Sequence, residues 1–122
     1  MLFSRYLENI SIHHKNLDVL QKTHLQIQKD LGLEMTEFAF KGEAKTPYHE
    51  LIEYTKIIIE NIIKLHGEHF YSIMYRADVS EESISRIIKD GLDVNKNISK
   101  LLVDRELTKV LTREFYKAES NR

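Results

Sequence analysis

Apolar side chains fall at helical intervals through most of the chain. Phe3, Tyr6, Ile10, His13, Leu17, Leu20, His24, Ile27 and Leu31 follow one another at alternating steps of three and four residues. Such a stripe winds along one face of a long N-terminal helix, and the same pattern suits a seam between two copies of a helix. A continuous helix is the favoured reading. Ser11-Ile12-His13-His14-Lys15-Asn16 are weak helix formers, however, and Asn16 is a competent cap for a second half. Gly32 stands at the exit, where a left-handed residue commonly ends a helix, with Leu33 placed to fold back onto Ile27.

Leu33 to Thr46 forms a connection long for a compact domain, with Phe38 and Phe40 as its anchors. Thr46-Pro47 then supplies a cap followed by a proline that needs no donor. The following helix is expected to reach His66. Its apolar positions, from Leu51 to Leu65, cover about half the circumference at roughly 100° per residue, which predicts a central helix. Phe70, Ile73, Met74 and Ala77 fit a short helix better than a strand. Asp78-Val79-Ser80-Glu81 carries a capping-box pattern and opens a helix over about residues 81–90, closed by Gly91-Leu92. Asp93 or Asn95 can cap the last helix, whose stripe changes azimuth near Val103, and the polar tail from Glu119 to Arg122 is expected to fray. The prediction is an all-α single domain over residues 1–122, a bundle of four to five helices with a long N-terminal helix.

Composition narrows the classes. One proline, four glycines and no tryptophan among 122 residues favour helices. With no cysteine there is neither a disulfide framework nor a thiolate ligand, and a reducing, cytoplasmic setting is expected. The longest aliphatic run is Ile57-Ile58-Ile59, so no membrane partner is expected. The net charge of −1 lacks the positive field of a dedicated nucleic-acid binder. It is unevenly spread, since Lys96–Arg122 carries seven bases against four acids and Glu34–Glu60 six acids against three lysines.

Met74-Tyr75-Arg76-Ala77-Asp78-Val79-Ser80-Glu81-Glu82, followed by Leu101-Leu102-Val103-Asp104-Arg105-Glu106-Leu107-Thr108-Lys109-Val110, resembles a pattern shared by small helical bacterial proteins of unknown function. That resemblance implies an all-α fold and no particular activity.

Candidate chemistry is sparse. His13 and His24 lie within the N-terminal stripe, where a buried imidazole needs a polar partner. His66, Glu68 and His69 bring two imidazoles and a carboxylate within four residues, a donor set for zinc, iron or manganese, although the spacing matches no zincin or di-iron pattern. His49, Glu53 and Glu60 share a flank with Lys56 and Lys64 nearby, which reads as a solvated, ion-paired surface. Arg105, Lys109, Arg113 and Lys117 rise every four residues along the last helix, a ridge able to contact phosphates. Tyr71, Tyr75 and Arg76 form a possible anchor patch. There is no glycine-rich phosphate loop and no nucleophile elbow, so no catalytic residue and no cofactor are expected. The best functional expectation is a protein-binding or assembly module, self-associating through Phe3, Tyr6, Ile10, His13, Leu17, Leu20, His24 and Ile27. The alternatives are a small metal-dependent enzyme using histidine and glutamate, or a nucleic-acid accessory protein.

Overall fold

The computed structural model describes the backbone of residues 10–121 and the side chains of residues 13–121. Within these limits the protein is all-α: α1 (Leu17–Leu31), α2 (Pro47–His66), α3 (Phe70–Tyr75), α4 (Glu81–Asp90) and α5 (Val94–Ser120), with 3-10 turns at Ile10–Lys15 and Gly67–His69. Segment 70–75 is therefore helical, as its spacing indicated, and not a strand.

The long N-terminal helix does not extend unbroken through Asn16. That residue is extended (φ −83°, ψ 97°), and its side chain accepts from the Val19 amide at 3.2 Å, satisfying a donor that would otherwise lack a partner. Asn16 starts α1, and the tighter turn before it ends there. Phe3 and Tyr6 lie outside the described residues, as does the side chain of Ile10. At the other end Gly32 adopts φ 73°, its amide meets the Gln28 and Lys29 carbonyls, and Leu33 N donates to Gln28 O at 2.8 Å. A Cβ on Gly32 would come within 3.2 Å of the Arg76 guanidinium, in addition to the strain of a left-handed backbone.

α5 packs along both α1 and α2. Its N-terminal half lies along α2, where Ser99 Oγ donates to Ile52 O at 2.6 Å and Tyr48 Oη donates to Asp104 Oδ1 at 2.5 Å. Its C-terminal half lies along α1, joined by Lys109 to Asp30 and Lys22 to Glu114. The change of azimuth near Val103 thus reflects two neighbours on one continuous helix. Leu102, Val103, Leu107 and Leu111 are fully buried there, each worth about 1.5–3 kcal/mol of transfer free energy. Asp93 occupies the cap position with φ 39° and no side-chain cap bond. The tail stays helical through Ser120, whose hydroxyl bonds the Tyr116 and Lys117 carbonyls.

α2 buries Tyr48, Leu51, Ile52, Thr55, Ile59 and Ile62; Tyr54 and Ile58 are partly buried, and Ile63 and Leu65 of its wide apolar stripe are exposed. The breadth of the stripe is thus divided between a core face and exposed positions near the end of the helix.

Candidate functional site

The connection between α1 and α2 is a strap held by side-chain amides. Gln21 accepts from Phe38 N at 2.7 Å and donates to Phe38 O at 2.8 Å, the pairing a neighbouring β-strand would provide. Gln28 accepts from Thr36 N at 3.0 Å and donates to Thr36 Oγ1 at 2.9 Å. Between them His24, fully buried, donates through Nε2 to Thr36 O at 2.9 Å. Since a carbonyl only accepts, that bond assigns the Nε2 proton and leaves Nδ1 without a hydrogen-bond partner. Burial holds the His24 pKa below its ordinary value, so the ring stays neutral. Gln21, His24 and Gln28 share one face of α1, and this is how an irregular segment satisfies its backbone. Sequence reasoning found the aromatic anchors of the strap but missed the two glutamines. Their spacing from His24 on one helical face was the available signal.

Beyond α1 the strap runs along a flank of α2. Phe38 packs on Tyr54 (ring centroids 4.7 Å apart) and on Phe40 (4.6 Å), and Glu50 caps the strap by accepting from Lys41 N and, at 2.9 Å, from Gly42 N. Two openings follow this seam. One, of about 440 Å³, is lined by Glu37, Phe38, Ala39, Lys41 and Glu43 of the strap and by Glu50, Tyr54, Ile57 and Glu60 of α2. The other, of about 210 Å³, lies between Leu33 and Ile58, Asn61, Ile62 and Leu65. Ile57 and Asn61 are one turn apart, so the openings adjoin on one flank. Ile57 is 55% exposed and Leu65 69%.

A second concentration of polar groups sits where α1 meets α5. Lys109 Nζ lies 2.6 Å from Asp30 Oδ2, 3.0 Å from Glu106 Oε1 and 3.4 Å from Asp78 Oδ2. Glu106 is fully buried, with its carboxyl held between Lys109 Nζ and the Asp30 carboxyl. Burial first, and then a hydrogen bond to Asp30 and that residue's negative charge, raise the Glu106 pKa to about 7 against the opposing pull of Lys109. Burial also works to raise Asp30, but Lys109 outweighs it and the carboxyl stays below its ordinary range. Glu106 lies four residues from both Leu102 and Val110, a core register that its charge concealed.

The other predicted sites are dispersed or occupied. Leu20, His24 and Ile27 are wholly enclosed by their own chain, and Leu17, expected beside them, is half exposed, so α1 presents no continuous seam. His13 is half-buried. His66, Glu68 and His69 are all exposed, and a 3-10 turn at Gly67–His69 interrupts the helix between them. Among the described residues no group of three or more histidine, aspartate or glutamate side chains is arranged to hold a metal ion. The basic ridge is largely engaged within the chain: Arg105 Nε donates to Asp78 O at 3.2 Å, Lys109 meets three carboxylates and Arg113 donates to Gln26 Oε1 at 3.0 Å. Lys117 is exposed. Glu53 pairs with Lys96 at 3.4 Å, and His49 Nδ1 lies 2.6 Å from Thr46 Oγ1, a surface role for both. Tyr71 and Tyr75 are exposed.

Comparison with known protein families, with curated proteins and with solved structures finds no match to this chain.

Proposed function

We propose that this protein is a protein-binding module whose contact surface is the seam between α2 and the 33–46 strap. The observation that carries this reading is the pair of exposed aliphatic side chains on the flank of α2 that borders the strap. Ile57 and Leu65 are exposed beside two adjoining openings, although the same helix buries six side chains on its other face. Exposed apolar surface next to concave, partly preformed grooves is the ordinary signature of a contact site. The strap contributes a rigid wall, because Gln21, Gln28 and Glu50 bind its backbone directly.

The test is selection of a random displayed-peptide library on the immobilised protein, followed by mapping of selected peptides through backbone amide shifts. Perturbations confined to residues 33–42 and 50–65, and binding lost in Ile57→Asp/Leu65→Asp, are expected. Both side chains are exposed, so the thermal unfolding midpoint of that variant should stay within a few degrees of the parent. Failure to select any binder, or perturbations elsewhere on the protein, overturns the reading.

A further inference from the structure

The proposed seam differs chemically between its two ends. Around the larger opening stand Glu37, Glu43, Glu50, Glu53 and Glu60, opposed by Lys41 and Lys56. Glu50 spends its oxygens on strap amides and Glu53 shares Lys96, whereas no ion pair engages Glu37, Glu43 or Glu60 among the described residues. The floor between them is Phe38 and Tyr54, whose faces can take the alkyl stem and cationic head of lysine or arginine. The smaller opening has four aliphatic walls, Leu33, Ile58, Ile62 and Leu65. From Glu50 to Leu65 the helix rises about 22 Å, the length of roughly fifteen helical residues.

Resting on the docking reading above, we infer that the seam takes a basic amphipathic segment of another protein, with its apolar side chains against Leu33–Leu65 and its lysines or arginines over the Glu37–Glu60 end. Charge complementarity selects this occupant. The basic ridge of α5 in a second copy is a poor source of that counter-charge, because most of it is committed at home: Lys109 to Asp30, Glu106 and Asp78, Arg113 to Gln26, and Arg105 to the Asp78 carbonyl. A purely apolar ligand would fill the small opening and leave Glu37, Glu43 and Glu60 without a counter-charge. A purely cationic one would leave Ile57 and Leu65 in water.

Three labelled fifteen-residue helical peptides test this by fluorescence anisotropy and amide shifts. All carry leucines along one face of the first half, and the second half carries lysine, glutamine or glutamate. The lysine peptide should bind at least about tenfold tighter than the glutamine peptide, and the difference should shrink as salt rises from 0.05 to 0.5 M. Glu37→Lys/Glu60→Lys should abolish that preference while leaving the glutamine peptide unaffected. Equal binding of lysine and glutamine peptides at the seam, insensitive to this variant, overturns the charge inference and keeps the docking reading. Absence of any seam perturbation by all three overturns both. A doubling of solution mass with shifts on α2 and no peptide binding would give the seam to a second copy and likewise overturn the inference.

Discussion

Glu106 shows how an individual side chain ties stability to pH. Its folded carboxyl keeps a proton up to about pH 7, against an ordinary value of 4.5. A raised carboxyl pKa means stability that is fully present below the unfolded value and lost as pH rises through the folded one. Glu106 therefore weakens the fold progressively between about pH 4.5 and 7. Buried His24, together with His13 and His14, acts in the opposite sense. Burial lowers these imidazoles from 6.5, so what they contribute is present above that value and is lost as pH falls. The opposing slopes overlap near pH 6, and only a difference between variants separates them. Glu106→Gln should gain on the parent by on the order of 2–3 kcal/mol between pH 5 and 8, read from denaturant unfolding at each pH. Parallel stability curves would show that Glu106 ionises in the folded protein as it does in the unfolded chain.

At the scale of an element, the strap shows what decides the path of a long connection. Its backbone donors and acceptors must be met, and α1 meets them with Gln21, His24 and Gln28. Gln28→Ala should cost about 1–2 kcal/mol and speed hydrogen exchange at the Thr36 amide, while Ile59 in α2 and Leu107 in α5 keep their relative protection. Unchanged exchange at Thr36 would mean that the strap holds its course by packing of Phe38 and Phe40 alone. The caps were legible in advance, since Asn16, Gly32, Thr46, Ser80 and Gly91 terminate helices through their own backbone and side-chain chemistry. The amide staples were harder to read, because a glutamine on a helix is usually a solvated residue and only its place beside His24 on one face hints at a partner up to seventeen residues away.

For the whole molecule, the disposition of α1 bears on assembly. A dimer through Leu20, His24 and Ile27 would require this helix to leave its own core. Light scattering should accordingly give the 14.4 kDa monomer mass at pH 8 and at pH 5.5. A dimer that dissociates in acid would instead point to the histidine-bearing face and argue against the seam as the principal contact. Helical class and most helix ends, the break at Asn16 in the first stripe excepted, followed from the sequence because they depend on spacing of three and four residues and on caps within one turn, all local properties of the chain. Which apolar faces meet each other was decided only in three dimensions. The same stripe serves core, dimer seam or docking surface, and it was the packing of α5 between α1 and α2 that enclosed Leu20 and Ile27, left Ile57 and Leu65 uncovered, and brought Glu106 against Asp30 across a wide gap in sequence.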